Sequence, residues 1–222
     1  MAQPSTIPSR RSGPGRPARP LLSRDVIIDA ALALVDEEGA GALTMARLAR
    51  RLGVQAASLY HHLPDKAAIW EGIRERVTAE MDWSGAGEGA WDRALEQWAR
   101  SYRNAFLRHP NTVMPLFTSP VHSDVTYEMY EAIAARLHGD GWPVASLVPV
   151  ISAVEYLICG SIIDHEALGD MFPDAGARGA PLLAASVAGQ RSPAISADRG
   201  FEVALAGLLD GLEAELARLR QR

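Results

Sequence analysis

Cysteine is almost absent from this chain. Cys159 is the only one in 222 residues, so an internal disulfide cannot form and nothing requires an oxidising compartment. The sequence also lacks an uninterrupted run of about 18 apolar residues, and we therefore expect no membrane span. Its basic N-terminus is not followed by an apolar segment and so does not look like a secretory signal. These absences predict a protein of the reducing cytoplasm.

Common catalytic motifs are missing too. The sequence contains no glycine-rich phosphate loop, no GxSxG, no HExxH and no CxxC. Cys159 lies in the apolar run YLICGSII, where a thiol is expected to be buried and unreactive. Strand-like alternation and internal repeats are absent as well. We therefore predict an all-α protein that is not an enzyme and has no cofactor.

Charge is distributed unevenly along the chain. Residues 1–66 contain nine basic and six acidic residues, a balance of +3, whereas the whole chain carries −5. The remaining 156 residues therefore carry −8. The first 20 residues include five prolines and four arginines, which predicts a disordered basic arm, assigned to 1–22. A basic front on an acidic body indicates that the front binds a polyanion.

Short helical segments follow the arm. Three of them have suitable N-terminal capping residues, namely Ser23, Thr44 and Asp65. Gly39 is expected to end the first helix. Gly53 is expected to end the second helix, because glycine adopts a left-handed backbone at a lower cost than other residues do. A third short helix is predicted over about 55–62.

Longer helices are predicted beyond a glycine-rich break at 82–91. Apolar periodicity places them at about 89–108, 122–138, 144–167 and 199–220. The stretch 169–197 is rich in Gly, Pro, Ala and Ser, and we predict a loop there with one short helix near 180–189.

The stretch from 44 to 62 has the pattern of a helix-turn-helix. Its first helix carries basic and hydroxyl groups that suit a DNA backbone, and a second helix of this kind can enter a major groove. The same geometry also occurs in purely structural bundles. Its position behind a basic arm favours binding to double-stranded DNA.

Residues 24–76 resemble the DNA-binding domain of the tetracycline-repressor (TetR) family of bacterial transcription regulators. The resemblance rests on IIDAALALVDEEGAGALTMARLARRLGV, on SLYHHLPDK and on the apolar helix that follows. Looser similarity continues through AWDRALEQWARSYRNAFLRHP, AVEYLICGSIIDHE and FEVALAGLLDGLEAEL. It implies a helix-turn-helix domain over 23–68 and a helical ligand-binding and dimerisation domain over 69–222.

The family pattern also implies which residues meet DNA. The residues implied by the family are Thr44, Ala56, Ala57, Ser58, Tyr60, His61, His62 and Lys66. Arg47 and Gln55 are added because they face outward on the same two helices. One departure concerns Ala46, which stands where the tetracycline repressor has a base-reading arginine. The start of the second helix also has smaller residues, so we expect a different operator. The arginine-rich arm is expected to add minor-groove or phosphate contacts.

The adjacent histidines His61 and His62 raise the alternative of a metal site. Neighbouring residues on a helix point about 100° apart, so they cannot chelate as an i, i+4 pair would. No nearby Cys or Glu completes a ligand set. We therefore expect no metal here.

Members of this family enclose a small molecule in the second domain. Candidate ligand-binding residues are aromatic or polar side chains at otherwise apolar positions: Trp98, Tyr102, Met114, Phe117, His122, Tyr127, Tyr130, Glu155, Tyr156 and Cys159. Plain core packing is the alternative for each aromatic residue. Glu155, inside an apolar stretch, needs a hydrogen-bonding partner, a ligand or a second subunit.

The tetracycline repressor's own ligand residues do not carry over. Trp98, Tyr102 and Leu116 stand where it has an asparagine, a phenylalanine and a magnesium-binding histidine. This argues against magnesium-tetracycline as the effector, which stays unidentified.

The resemblance further implies a homodimer through helices near 144–167 and 199–220. A leucine stripe on the last helix needs cover from a second subunit or from its own chain. It consists of Leu205, Leu208, Leu209, Leu212, Leu216 and Leu219.

Together these features predict a ligand-responsive repressor that binds a near-palindromic operator as a homodimer. One alternative is a helix-turn-helix activator without a small-molecule effector, and another is a small helical enzyme. The 156 residues beyond the motif favour effector sensing over DNA binding alone.

Overall fold

The computed structural model describes residues 22–87, 89–166, 172, 174–189 and 193–221. Within these ranges the chain forms ten α-helices and no β-strand, which confirms the all-α class. The expected basic arm lies outside the described residues except for Leu22, which is partly buried against the core.

Three helices form the N-terminal unit. They are α1 (Arg24–Glu38), α2 (Met45–Leu52) and α3 (Ala56–Tyr60). Leu48 of α2 and Leu59 of α3 are fully buried, and both belong to the core that these helices share with α1. Burial of one face of each short helix is what holds the unit together, since helices of five to eight residues are unstable alone.

Local side chains and one glycine set where these helices begin and end. The Ser23 hydroxyl accepts a hydrogen bond from the backbone N–H of Val26 at 3.3 Å, and Thr44 Oγ1 accepts one from that of Arg47 at 3.2 Å. Gly53 ends α2 in the left-handed region, with φ 67° and ψ 35°. All three features agree with the sequence-based predictions.

Helix α4 (Lys66–Ala79) joins the N-terminal unit to the rest of the chain. It runs unbroken through the expected boundary at 68/69 and packs against α1 as well as against helices of the second domain. Gly72 lets α4 approach α1 closely, because a Cβ there would lie 2.3 Å from Cδ1 of Ile28. The two parts of the molecule therefore share one continuous helix.

In its described residues the second domain contains six α-helices: α5 (Trp91–Arg108), α6 (Val113–Phe117), α7 (Asp124–Gly139), α8 (Val144–His165), α9 (Pro181–Ala188) and α10 (Pro193–Leu219). The positions of α5, α7, α8 and α9 agree with the prediction, whereas α10 begins at Pro193 rather than near 199. Proline suits the first turn of a helix, where its missing N–H is not needed. The buried Arg103 ties α5 to its neighbours, donating to Ser161 Oγ at 2.9 Å and to Asp198 Oδ1 at 2.8 Å.

The leucine stripe of α10 is covered mainly by its own chain. Leu205 and Leu216 are buried, and Leu208, Leu209, Leu212 and Leu219 are partly buried against the same core. Because α10 packs along α8 over much of its length, this face is already occupied. Of the two alternatives for the stripe, the structure favours cover by its own subunit.

A different apolar surface stays exposed on these two helices. Val148 and Tyr156 of α8 are 71% and 76% exposed, and Val203 of α10 is 68% exposed. By length and composition alone, α8 is also apolar enough to cross a membrane, a test that the core helix of a soluble protein passes as well.

Candidate DNA-binding and ligand-binding sites

The outward side of the helix-turn-helix carries the residues that the sequence suggested. Gln55, Ala57, Tyr60, His61 and His62 are exposed, and Tyr60 is 52% exposed. Ala56 and Ser58 are partly exposed, whereas Leu59 points into the core. Small side chains at the start of α3 leave room for close approach to a base edge.

Three further candidates surround this face. Thr44, Arg47 and Lys66 are all exposed, at the start of α2, within α2 and at the start of α4. Thr44 uses an oxygen lone pair for capping and keeps its hydroxyl proton free to donate to a phosphate. The arrangement suits a helix pair that lies on a DNA backbone with α3 directed at the groove.

Two arginines of α2 are paired with acids in the free protein. Arg47 forms an ion pair with Glu38, and Arg51 forms one with Glu37. Hydrogen bonds from Arg51 lower the pKa of the Glu37 carboxyl. Arg50, in contrast, forms no ion pair with any residue that the structure describes. These ion pairs were not predicted, although two adjacent glutamates at the end of α1 were a signal for them.

Several of the proposed ligand-binding residues form an aromatic cluster inside the second domain. The rings of Trp98 and Tyr102 lie 5.3 Å apart, and those of Tyr102 and Phe117 are stacked at 6.0 Å. Tyr130 lies edge-on to Trp98 at 6.4 Å. Phe106 also belongs to the cluster and was missed, although its spacing of i+4 from Tyr102 was a signal. Such contacts are typical of a well-packed aromatic core.

Glu155 brings a carboxylate to this cluster. One of its oxygens accepts hydrogen bonds from Tyr102, at 3.2 Å, and from Tyr130. Burial raises the pKa of Glu155, and the two tyrosine hydrogen bonds offset this only in part. Burial also raises the pKa of Tyr102 and of Cys159. The partner that Glu155 needs is therefore a pair of tyrosine hydroxyls.

Four other candidates have exposed side chains. Met114, Tyr127 and Tyr156 are 57%, 59% and 76% exposed, and His122 is exposed as well. The Tyr127 hydroxyl donates to the backbone carbonyl of Val121 at 3.3 Å. Their exposure places them on the surface, whereas Cys159 is partly buried and packed against the core.

Arg74 links α4 to the segment beside the cluster and was not predicted. This largely buried side chain donates to the backbone carbonyl of Leu116 at 3.0 Å and to the Ser119 hydroxyl at 2.8 Å. It also pairs with Glu71 on its own helix. Its charge lowers the pKa of Glu155, which places it within electrostatic reach of the cluster. Apolar residues one turn away on either side, Trp70 and Val77, were the available signal that position 74 faces the core.

Across the described ranges no group of three or more His, Cys, Asp or Glu side chains is arranged to hold a metal ion. His61 and His62 are both exposed beyond the end of α3.

Two family models match the chain. The one described as "Bacterial regulatory proteins, tetR family" matches residues 27–73, and "Tetracyclin repressor-like, C-terminal domain" matches residues 85–216. Together they cover the helix-turn-helix and the domain that contains the aromatic cluster.

Individual relatives agree with these matches. The chain is 31% identical over 200 residues to tetracycline repressor protein class A from transposon 1721 of Escherichia coli, which covers 86% of this chain and 90% of the relative. It is 29% identical over 208 residues to the class D protein of Escherichia coli, covering 90% and 93%. The crystal structure of TetR from Acinetobacter baumannii AYE superimposes with a TM-score of 0.63 at 25% identity, covering 87% of this chain and 97% of that one.

Proposed function

Because the chain belongs to the TetR family of bacterial regulatory proteins, we propose that it is a cytoplasmic repressor released from its operator by a small molecule. Its relatives are transcriptional regulators, and the chain is likewise a DNA-binding regulator. We further propose that it acts as a homodimer on a near-palindromic operator and that its effector is a small aromatic compound.

The exposed face of α3 is the observation that carries this proposal. It presents Gln55, Tyr60 and His61 beside small residues, with the arginines of α2 flanking it. Hydrogen-bonding groups on a projecting helix can read base edges, and flanking basic groups can bind phosphates. We infer that α3 enters the major groove and that α2 crosses the backbone.

A second copy of the chain is the proposed cover for the exposed apolar face of α8 and α10. The face includes Val148, Tyr156 and Val203, and beside Tyr156 the two helices leave a groove of about 290 Å³. Covering such a face from water stabilises an assembly in proportion to the apolar area buried. Family membership favours a homodimer here over a lipid contact of α8, so we propose no membrane partner.

Two copies would present two recognition helices. In a symmetric dimer they would meet half-sites in successive major grooves, about 34–36 Å apart on one side of the duplex. The operator is therefore proposed to be near-palindromic.

The proposed effector is a flat, largely aromatic compound with a hydrogen-bond donor. The rings of Trp98, Tyr102 and Phe117 offer stacking surfaces, and the Glu155 carboxylate offers an acceptor. Leu116 offers no metal-binding atom at the position of the family's magnesium-binding histidine. We therefore propose an effector other than magnesium-tetracycline.

Release from DNA requires that the effector favour one arrangement of the domains over another. Arg74 is the proposed link between the cluster and the N-terminal unit. It belongs to α4 and donates hydrogen bonds to the segment from Leu116 to Pro120 next to the cluster. A compound that shifts this segment would shift α4 and, with it, the N-terminal unit.

The proposal can be tested by fluorescence anisotropy of the purified protein. Duplexes from upstream of its own gene are compared with scrambled duplexes at about 150 mM salt, where non-specific binding is weak. Tight binding to the upstream DNA alone, at two protomers per site, would support a dimeric regulator. Equal and weak binding to both would contradict sequence-specific regulation.

The same assay identifies the effector. Planar aromatic compounds are screened for loss of DNA binding, and Glu155→Gln is the matched variant, since it keeps the size of the side chain but removes its charge. An effector that acts at the cluster should release the wild-type protein more readily than this variant. If no compound releases the protein although it binds DNA, the alternative of an effector-independent regulator gains support.

A further inference from the structure

His109 lies where the two domains meet. It directly follows α5, and its imidazole is inserted between Asp36 near the end of α1 and Glu80 at the end of α4. Nδ1 is 2.9 Å from Asp36 Oδ2, and Nε2 is 3.0 Å from Glu80 Oε1. The side chain is only 14% exposed. Both ring nitrogens therefore contact carboxylate oxygens in a site with little water.

This geometry indicates how many protons the His109 imidazole carries. An ionised carboxylate accepts hydrogen bonds but cannot donate them, and a neutral imidazole has only one N–H. When both carboxylates are ionised, two contacts at hydrogen-bonding distance therefore require an N–H on each ring nitrogen. We infer that His109 is held as an imidazolium cation and that in this form it positions the N-terminal helices on the second domain.

The surrounding charges fit a cation at this point. Asp36 on α1 and Glu80 after α4 supply two negative charges, and Arg108 on α5 supplies one positive charge through its hydrogen bond to Glu80 at 2.6 Å. If His109 were neutral, Arg108 would be the one cation left in contact with this pair of carboxylates in the described part of the chain, and it contacts only Glu80. Burial raises the pKa of Glu80, but hydrogen bonds from His109 and Arg108 outweigh it and leave that pKa lowered.

Asp36 depends on His109 more than Glu80 does. Its Oδ1 is buried and has no hydrogen-bond partner in the described part of the chain, so the contact of Oδ2 with His109 is what compensates its charge. A buried carboxylate without such a partner is strongly disfavoured.

A neutral contact beside His109 provides an internal comparison. Asn111 donates from Nδ2 to the backbone carbonyls of Val35, at 3.0 Å, and Asp36, at 3.2 Å. It holds the same end of α1 to the same segment, yet it does not titrate. Replacing either Asn111 or His109 should therefore weaken the contact between α1 and the segment after α5. Only the effect of replacing His109 should depend on pH.

The consequence for DNA binding rests on the proposed function. Helix α1 packs directly against α2, so the direction in which α3 projects depends on how α1 is held. When pH rises and His109 loses its second proton, one N–H···O contact becomes a contact between two acceptors. The domains are then held less firmly, and the affinity for DNA should fall.

The first test measures the proton directly and needs no DNA. Ring ¹⁵N chemical shifts of the full chain at pH 7 are recorded for wild type and His109→Gln, which identifies the His109 signals. Shifts of two protonated nitrogens are expected. Shifts of one protonated and one bare nitrogen would overturn the inference whether or not the protein binds DNA.

The second test compares DNA affinity between about pH 6 and about pH 9 in wild type, His109→Gln and Asn111→Ala. Near pH 6, His109→Gln should bind about tenfold more weakly than wild type, a typical size for coupling between sites. The difference should vanish above the pH at which His109 titrates, whereas the Asn111→Ala deficit should be the same throughout. A His109→Gln deficit that does not change with pH would contradict a role for the proton.

A third variant guards against misfolding. Asp36→Asn keeps the size of the side chain. Its amide can accept or donate a hydrogen bond, so the contact with His109 no longer requires an N–H on both ring nitrogens. This variant should lose the same pH-dependent component as His109→Gln. If wild type binds no DNA at all, the proposed function fails, and the nitrogen shifts still decide the inference.

Discussion

The guanidinium group of Arg51 makes two hydrogen bonds to the carboxylate of Glu37, from Nη1 at 2.7 Å and from Nη2 at 2.6 Å. A carboxylate thus occupies the two N–H groups that could otherwise bind a phosphate, since a guanidinium group binds both anions in the same bidentate way. In the free protein, α2 therefore presents less positive charge than its sequence indicates.

Glu37→Gln should raise DNA affinity by about twofold, because an exposed ion pair that must be broken on binding contributes only weakly to stability. The measurement is anisotropy at low salt, where surface charges are least screened. Glu202→Gln is the control, since it removes a carboxylate that pairs with Arg100 on the second domain. Weaker binding by Glu37→Gln would mean instead that Glu37 orients Arg51 for its phosphate.

Tyr60→Phe should weaken binding to the operator about fivefold while changing binding to scrambled DNA much less. The hydroxyl projects from α3, and one lost hydrogen bond costs about 1 kcal/mol. Titrations of both duplexes at one salt concentration measure this ratio. Tyr127→Phe removes a hydroxyl from the second domain as the control. An equal loss on both duplexes would show that Tyr60 contacts only the backbone.

Removal of residues 1–20 should flatten the salt dependence of DNA affinity. Each phosphate contact that is lost lowers the slope of log K against log salt by about 0.9, because fewer counterions are released. The arm contains four arginines, and replacing all four by glutamine keeps its length as a matched control. If the slope stays the same in both variants, the arm does not touch DNA.

Glu155→Gln should change how stability depends on pH. Burial raises the pKa of this carboxyl in the folded state, so its contribution to stability is complete below the pKa of an unfolded glutamate, about 4.3, and is lost as pH rises through the higher folded value. Glutamine does not titrate, so the variant should gain stability relative to wild type between pH 4 and pH 7. Urea unfolding at several pH values measures the difference, with Glu128→Gln on the surface of α7 as the comparison. A difference that is constant with pH would contradict the raised pKa.

Val148→Asp should convert the proposed dimer into monomers. Val148 is 71% exposed on α8, so the change should leave the fold of each subunit intact but place an unpaired charge in the interface, at a cost of roughly 3 kcal/mol, or about a hundredfold in dissociation constant. Sedimentation velocity measures the mass. Tyr127→Asp on α7 is the control, and an unchanged mass in both variants would place the interface elsewhere.

Features that depend on residues close together in the sequence were predictable. Ser23, Thr44 and Asp65 each bond to a backbone N–H three residues ahead, so the starts of α1, α2 and α4 could be read directly. The backbone at Gly53 was predictable for the same reason, since only glycine adopts it without strain.

Features that depend on distant residues were not predictable. Arg51 meets Glu37 across a turn, and Arg74 meets Ser119 across 45 positions. Periodicity identified the apolar leucines of α10 but not which surface would cover them. The sequence made Tyr102, which lies in the cluster, and Tyr156, which is exposed, equally good candidates for ligand binding, because both are aromatic residues on long helices. Only the packing of α5, α7 and α8 separates them.

The small side chains on α3 limit how much information one copy of the protein can read. The side chains of Ala56 and Ala57 offer no hydrogen-bonding group, so in the proposed complex Gln55, Tyr60 and the histidines would supply most of the base discrimination. A regulator must distinguish its site among about a million or more competing positions in a genome, while each specified base pair is worth about 1–3 kcal/mol. One α3 specifies too few base pairs for that task. A genome would therefore hold many single half-sites that the protein visits briefly, and only the spacing between two of them would mark an operator.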